Sequence, residues 1–476
     1  MNDNSPQARL TGPLAAEHGP LVETRLVTWY FLAALVSLFI SFLGGLLMAL
    51  QLLDWNPLSG VEWLSPGRWR MVHTNSIAYG FLANGIFGSV QWAIPRLVLR
   101  PFYSRTLSYV QFFLWQAIVA SVVIGIIAGQ AQGIEWGETP RWVDPVVLAA
   151  LLLATFNALT PVLKSQGAFY VSLWYFMAAY VWTFLTYAMG NFLPEYFVSG
   201  SSGGAIAGLF IHDLVGLFIT PFGWGLMYYF VPILLNKPIW SHSLSLIGFW
   251  GLAFFYPLNG IHHFLYSPIP MFLQHGAVVA TIAVEMVVTT VIVNFFATLH
   301  GSHTALRTNL PIRWFYAGMV LYFITCLQCA FQVTLTFQRI IHFTDWVVGH
   351  AHLVMFGVFS FWMFGIMTYL FPILLKREWR SRQLCEWHFW LSLIGIGVMV
   401  TDLTLAGVYQ GFSWASLQPW ETSISLSHNF WVIRLGAGVL MILGQVCFVA
   451  NLILTWLAPE SAPVTSAGAA TSGGAS

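Results

Sequence analysis

Long apolar stretches alternate with short polar connections along almost the whole chain. The hydrocarbon core of a bilayer is about 30 Å thick and needs roughly 20 residues of apolar helix to cross it. Twelve stretches come close to that length or exceed it, and each predicts a membrane-spanning helix. The predicted spans are 26–52, 73–98, 106–131, 146–163, 168–194, 205–235, 241–266, 273–299, 313–338, 346–375, 386–411 and 430–457.

The two ends of the chain differ from this pattern. Residues 1–25 are polar and contain proline, which predicts a cytoplasmic tail before a single twelve-helix domain over 26–458. Residues 459–476 are rich in Ala, Ser, Gly and Thr, which predicts disorder. With a cytoplasmic amino terminus, thirteen of the 18 Lys and Arg residues fall on the cytoplasmic side. Positively charged loops favour the cytoplasm, so we expect both termini there.

Composition then narrows the class of protein. Apolar residues make up 58% of the 476 residues and charged residues only 7%, whereas a soluble chain carries about a quarter charged residues. These values predict an all-α, polytopic membrane protein and exclude the soluble enzyme classes. The net charge of +1 argues against nucleic acid as a partner. Four cysteines cannot form a disulfide framework in a chain of this size.

Histidines carry the candidate chemistry. Ionisable side chains inside membrane spans are costly and by default indicate function. Six of the 14 histidines fall in or at the outer third of four spans, although neighbouring spans run in opposite directions. A lone histidine in a span is more often structural, but six at one depth predict bound metals. They are His73, His212, His262, His263, His350 and His352.

Helical geometry divides this group. His350 and His352 lie about 200° apart around an α-helix, so one helix can serve two metal centres. His262 and His263 lie about 100° apart and can converge on one ion. Tyr256 precedes His263 by seven residues, which predicts the same helix face about 10 Å deeper in the membrane. Imidazole ligands favour Cu or Zn over harder ions, and the set that suits copper is His212, His262 and His263.

The same residues stand in four recognisable segments. They read H-T-N-S at 73–76, I-H-D-L-V-G at 211–216, Y-P-L-N-G-I-H-H at 256–263 and T-D-W-V-V-G-H-A-H at 344–352. The set closely resembles subunit I of the haem–copper oxygen reductases, and most of all the cbb(3)-type, or C-family, catalytic subunit. That family has its tyrosine six residues before the paired histidines, as Tyr256 stands here. The A-type family has it on the preceding copper-ligand helix, where this chain has Gly216.

The resemblance implies the haem–copper oxidase fold and a terminal oxidase that reduces dioxygen to water with electrons from cytochrome c. It also implies proton uptake and proton pumping. His73 and His352 would be the axial ligands of a low-spin haem b, and His350 would be the ligand of a high-spin haem b. Tyr256, linked covalently to one copper ligand, would supply an electron and a proton. The copper (CuB) ligands would be His212, His262 and His263.

Further roles follow from the resemblance alone. Arg70 would pair with haem propionates, and Glu138 falls in the loop where the family has a carboxylate near calcium. Ser245, Asn294 and Tyr229 match polar positions of the single proton path from the cytoplasm. The expected partners are membrane-anchored c-type cytochrome subunits in the bacterial cytoplasmic membrane, because Cys326-x-x-Cys329 is followed by alanine and does not form a haem c attachment motif.

Three positions depart from the family. Gln328 stands where members usually have a glutamate, Gly248 replaces a histidine of the proton path, and Asp213 replaces an asparagine after the first copper ligand. The alternative activity is that of a nitric oxide reductase, which has non-haem iron in place of copper. Such enzymes have a glutamate where Gly216 stands here, and they lack the tyrosine. A non-enzymatic receptor or transporter is the third class, and it predicts no haem.

Overall fold

The computed structural model describes residues 20–56 and 59–459. Most of the predicted amino-terminal tail (1–19) and nearly all of the predicted carboxy-terminal tail (460–476) lie outside the described residues. Within the described ranges the secondary structure is helical and contains no strand, so the predicted all-α fold is confirmed.

The long helical stretches are labelled α1 to α12 in chain order. Ten of them are long and apolar enough to cross a membrane. The other two, α2 and α5, are not among those ten, so the count of twelve crossings stays a prediction. The stretches are α1 Thr24–Leu52, α2 66–98, α3 Arg105–Ile127, α4 Asp144–Leu163, α5 Val171–Phe192, α6 Gly200–Leu235, α7 His242–Phe264, α8 Met271–Leu299, α9 Leu310–Gln332, α10 Asp345–Leu375, α11 Arg382–Ala415 and α12 Trp420–Leu457.

Several helices begin before the apolar stretch that predicted them. Helix α2 begins at Pro66, a favoured first helical residue, instead of at 73. Helix α12 begins at Trp420 instead of at 430 and has 38 residues. At 1.5 Å per residue it is about 57 Å long, nearly twice the hydrocarbon thickness. Hydropathy therefore locates the membrane-embedded part of a helix and misses its polar extension.

Helix α7 differs from the prediction in kind. Its α-helical part ends at Phe255, and two short 3₁₀ turns follow, Tyr256–Leu258 and Gly260–Phe264. Pro257 explains the break, because proline has no amide hydrogen and its ring clashes with the carbonyl four residues earlier. The α-helical spacing assumed between Tyr256 and His263 is therefore wrong.

Within the part of the chain that the structure describes, three helices change to π geometry part-way along their length and then return to α geometry. A π turn is rare and often occurs at functional sites. In each case the π segment begins within three residues after a histidine singled out above, and its residues are almost all buried. The segments are Ser76–Leu82 after His73, Leu214–Ile219 after His212, and Leu353–Ser360 after His352.

A second feature also occurs three times, at the turns that follow α2, α6 and α10. Each of these helices ends at a residue with left-handed backbone, and a serine then caps the next helix. The serine amide donates to an asparagine side chain of the helix after that, at 2.8–3.0 Å. The serine–asparagine pairs are Ser104 with Asn157, Ser241 with Asn294, and Ser381 with Asn451.

The described residues divide into two compact units. The first contains 20–45, 59–300 and 329–335, where α5 packs on α6 and α7 packs on α8. The second contains 46–56, 301–328 and 336–459, where α11 packs along α12 and on the start of α10.

Candidate metal centre

Three imidazoles of the first unit converge on one point. The ring nitrogens of His212, His262 and His263 offer one ligand atom each, and these atoms lie within 4.8 Å of one another. His212 Nδ1 lies 3.1 Å from His263 Nε2. The 3₁₀ turn Gly260–Phe264 carries two of the rings and packs against α6, which carries the third. Three nitrogen donors at this spacing fit a copper ion, which favours imidazole ligands.

Thr281 fixes the tautomer of His262. The threonine hydroxyl donates its only proton to the Ala277 carbonyl at 2.7 Å. It must therefore accept the hydrogen bond from His262 Nδ1, also 2.7 Å away. Nε2 of His262 is left with its lone pair, as metal ligation requires. Sequence reasoning missed Thr281, because α8 carries four threonines and the sequence alone does not show which of them faces His262.

The Tyr256 ring stacks on His212. The ring centroids lie 4.7 Å apart and the planes differ by 14°. The tyrosine thus reaches the histidine cluster as predicted, although a 3₁₀ turn positions it and not two turns of α-helix. Gly216 makes this possible, since a Cβ at that position would overlap the Tyr256 ring. No side chain fits at residue 216 while the tyrosine stays where it is.

His73 lies against α1 in the same unit. Its Nδ1 is 2.7 Å from the Ser41 carbonyl, and the Ser41 hydroxyl donates to the His73 carbonyl at 2.9 Å. Gly44 and Gly45 allow the close approach, because a Cβ on Gly45 would lie 3.0 Å from His73 Nδ1. The Nδ1–H donates to a carbonyl oxygen, so Nε2 is available as an iron ligand.

His350 and His352 show the same arrangement in the second unit. His350 Nδ1 lies 3.1 Å from Gln328 Oε1 on α9. His352 Nδ1 lies 2.8 Å from the Val348 carbonyl of its own helix. Both rings therefore donate from Nδ1 to an oxygen, the arrangement that is typical of histidines which bind a metal through Nε2. Gln328, the departure from the family noted above, is thus the partner that orients His350.

A polar cluster occupies the loop between α3 and α4. Asn75 donates to Glu138 at 2.9 Å, and Arg70 lies 3.7 Å from the same carboxylate. Burial raises the pKa of the Glu138 carboxyl, because desolvation outweighs these two contacts. Among the described residues, Glu138 Oε1, Asn75 Oδ1 and Gln132 Oε1 are buried without a hydrogen-bond partner. Buried oxygens of this kind suit a hard cation such as calcium.

The predicted proton-path residues lie along α6, α7 and α8. Ser245 and Asn294 are fully buried, and the Asn294 amide lies 3.4 Å from the Tyr228 hydroxyl. The Tyr229 ring, which the sequence singled out, packs on Phe230 with centroids 4.9 Å apart. Tyr228, one position earlier on the same helix, is a further tyrosine in this region that the sequence analysis did not name, and the role of Tyr229 stays a prediction. Asp213, the third departure, is 2% exposed.

Comparison with known proteins assigns the class. A family model described as Cytochrome C and Quinol oxidase polypeptide I matches residues 25–440, and the chain belongs to that family. It is accordingly an oxidoreductase, the catalytic subunit of a haem–copper oxidase, and a multi-pass membrane protein. Family membership implies haem and copper, and three histidines that fit the copper are already in place.

Individual relatives agree with this. The chain is 27% identical over 452 residues to a "Cytochrome c oxidase subunit 1 homolog" of Agrobacterium tumefaciens (strain T37), covering 91% of this chain and 84% of that one. It is 25% identical over 420 residues to the "Cbb3-type cytochrome c oxidase subunit CcoN1" of Stutzerimonas stutzeri, covering 84% and 88%. The fold matches a haem–copper terminal oxidase seen by cryo-EM, with a TM-score of 0.79, 14% identity, and 93% and 85% of the two chains covered.

Proposed function

We propose that this subunit reduces dioxygen to water in a cbb(3)-type terminal oxidase, with electrons from cytochrome c and with proton uptake coupled to pumping. The observation that carries the proposal is the packing of Tyr256 on His212 in the space that Gly216 leaves open. A phenol beside a copper ligand suits four-electron reduction, because the phenol can give both an electron and a proton. A carboxylate at residue 216, as iron-containing nitric oxide reductases have, would displace that ring.

The histidines hold the metals in this proposal. His212, His262 and His263 are the copper ligands, and His350 is the ligand of a high-spin haem b. His73 and His352 are the axial ligands of a low-spin haem b, an assignment that rests on the sequence resemblance. When bound, the haems and copper supply electron transfer and the binding of dioxygen. The Nδ1–H of His73, His262, His350 and His352 each faces an oxygen acceptor, which supports Nε2 ligation.

Tyr256 has two proposed tasks. It holds a proton on its phenol oxygen and releases it toward the copper site, and it is bonded covalently to His212. Forming that bond removes one hydrogen from each ring, so two protons and two electrons leave, and dioxygen is the oxidant. The near-parallel rings with centroids 4.7 Å apart support the pairing. Arg70 pairs with haem propionates, and Ser245, Asn294 and Tyr229 serve proton uptake.

Electrons must enter from other subunits. The chain has no haem c attachment motif, since Ala330 follows Cys326-x-x-Cys329. Membrane-anchored c-type cytochromes are the proposed partners, which the name of the Stutzerimonas relative supports. The excess of Lys and Arg in alternate loops supports two cytoplasmic termini in a bacterial inner membrane.

Calcium is proposed at the Glu138 cluster. The support is the set of three buried oxygens without hydrogen-bond partners, on Glu138, Asn75 and Gln132. Arg70 leaves the cluster only partly neutralised, because its guanidinium is 3.7 Å from the carboxylate and its side chain is 45% exposed.

Metal analysis and turnover on one preparation test the function. We expect one copper and two b-type haem irons per subunit, fast dioxygen uptake with reduced cytochrome c, and slow nitric oxide consumption. The variant Tyr256→Phe should keep all three metals and lose almost all dioxygen uptake. Peptide mass spectrometry should find the Tyr256 and His212 peptides joined, two hydrogens lighter than their sum. Non-haem iron in place of copper, with fast nitric oxide turnover, would establish the alternative activity instead.

A further inference from the structure

Gly248 on α7 stands where the family resemblance expects a histidine of the proton path. The space beside this glycine is polar and already filled. A Cβ at residue 248 would lie 2.9 Å from the Thr290 hydroxyl and 3.3 Å from the Tyr175 hydroxyl. Two hydroxyl groups from neighbouring helices therefore meet where the family side chain would begin.

Tyr175 comes from α5 and is fully buried. Its hydroxyl donates to the Ser245 carbonyl on α7 at 3.2 Å. The ring is fixed by edge contacts with Trp224 at 5.7 Å and Phe249 at 5.3 Å between centroids. A hydroxyl in the apolar part of a bundle is costly unless it has a polar partner, and the Ser245 carbonyl supplies that partner beside the space at Gly248.

The Tyr175 ring packs beside a series of polar groups that begins at the amino-terminal end of α7. Asn294 on α8 accepts from the Ser241 amide at 3.0 Å and donates to the Ser241 carbonyl at 2.8 Å. The Asn294 amide also lies 3.4 Å from the Tyr228 hydroxyl. The Tyr228 ring stacks on Tyr175 with centroids 6.0 Å apart and planes 20° apart.

The Ser241–Asn294 pair differs from the other two serine–asparagine pairs in what its asparagine contacts. The amide of Asn157 donates to Ser108, and that of Asn451 donates to the Cys385 thiol. Those asparagines thus hold two helices together and contact no tyrosine hydroxyl. Only the Asn294 pair continues to the Tyr228 hydroxyl, among the contacts of the three pairs described. All three pairs join neighbouring helices, and the Ser241–Asn294 pair in addition leads to a tyrosine hydroxyl deeper in the helix bundle.

We propose that Tyr175 carries protons in the cytoplasmic proton path of this chain and takes the position that a histidine at 248 holds in the family. This inference rests on the proposed oxygen-reductase function. A proton received at the Tyr175 oxygen is matched by one released onward, so the group is unchanged after each transfer. Gly248 lies eight residues before Tyr256, about 12 Å of helix, so the path leads toward the phenol that needs protons.

The test is proton uptake by the complete oxidase complex with Tyr175→Phe. The substitution keeps the ring and its aromatic contacts and removes only the hydroxyl. We expect dioxygen turnover and proton uptake, followed with a pH-indicator dye, to fall roughly a hundredfold. The rate of haem reduction by cytochrome c under anaerobic conditions should stay at the wild-type value. The factor by which heavy water slows turnover should be larger in the variant than in the wild type.

Tyr180→Phe is the matched control. Tyr180 is a buried tyrosine on the same helix whose ring packs on Phe222 at 5.0 Å, and its loss should leave proton uptake unchanged. Wild-type turnover in Tyr175→Phe, or a slowed haem reduction with unchanged proton uptake, would overturn the inference. If that variant assembles without haem, Tyr228→Phe decides, and wild-type proton uptake there would overturn it equally. A wild-type complex that consumes no dioxygen refutes the proposed function instead.

Discussion

Gly216→Ala is the sharpest test of how the tyrosine is positioned. The added methyl group would overlap three carbons of the Tyr256 ring. Non-bonded carbons rest at about 3.5–4.0 Å, so the ring must move by roughly 2 Å to make room. Overpacking of this kind costs about 1–3 kcal/mol in a tight interior. The protein should therefore still assemble, with its reactive phenol displaced.

The effect on activity should exceed the effect on stability. A displacement of about 1 Å can cost a hundredfold in rate, so we expect dioxygen uptake to fall at least roughly a hundredfold. Haem content from the optical spectrum and copper content from metal analysis should stay at wild-type levels, because the substitution removes none of the three copper ligands and leaves the hydrogen bond between His262 and Thr281 in place. The Tyr256–His212 cross-link should be absent from the peptide mass spectrum.

Gly204→Ala on the same helix is the matched control. A Cβ at Gly204 meets nothing within 4 Å, so this variant should keep full activity. Its free energy of unfolding should even rise by about 0.5–1 kcal/mol, because alanine is a better helix former than glycine. Wild-type dioxygen uptake and an intact cross-link in Gly216→Ala would show that the ring does not occupy that space, and the reasoning would fail.

Three further outcomes are expected. Thr281→Val should weaken copper binding about 10–100-fold by freeing the His262 ring, measured as the copper retained during dialysis against a chelator. Gln328→Glu should lower the midpoint potential of the high-spin haem by about 40 mV, since a carboxylate bonds His350 more strongly by about 1 kcal/mol. Calcium chelation should lower the unfolding temperature. In the calcium-free protein, stability should fall as the pH rises from the ordinary pKa of a glutamate to the raised pKa of Glu138, because the unfolded chain loses this proton at the lower pH.

A specific result would contradict each of these three predictions. Thr281→Ser keeps the hydroxyl and should retain copper. If Thr281→Ser loses as much copper as Thr281→Val, the hydrogen bond to His262 is not what holds the copper. An unchanged potential in Gln328→Glu would mean that residue 328 does not bond His350 in the assembled enzyme. Glu138→Gln should abolish both the effect of calcium on the unfolding temperature and the fall of stability with pH. If either effect persists in this variant, it does not arise at Glu138.

The sequence predicts the spans and the histidine cluster well for different physical reasons. Spans are visible because a bilayer demands long apolar stretches. The predicted boundaries differ from the observed ones in both directions, since α12 begins at Trp420, before the predicted 430, and α9 ends at Gln332, before the predicted 338. The convergence of His212, His262 and His263 follows from shared depth, which hydropathy and charge can locate. The route of Tyr256 to that cluster is not visible in the same way, because one proline replaced an α-helix by 3₁₀ turns.

Partners on neighbouring helices are what the sequence conceals. Thr281 and Ser41 are each one of several hydroxyl residues in a largely apolar helix, and each contacts a histidine far away along the chain. Tyr228, whose hydroxyl Asn294 contacts, and Tyr229, which the sequence analysis named, differ by one residue, or about 100° of helix rotation. Hydropathy cannot resolve that angle, because both tyrosines are buried and every side of this helix segment is apolar.

The π segments give α2, α6 and α10 an unusual tolerance to changes in length. A π turn holds one residue more than the α-helical turn it replaces, so a deletion there can be absorbed by a return to α geometry. The same deletion in a regular α-helix would rotate every later side chain by about 100°. Each tolerant segment lies just beyond a histidine, at Ser76–Leu82, Leu214–Ile219 and Leu353–Ser360. A single-residue deletion at any of these three places should therefore leave the later part of the same helix in its register.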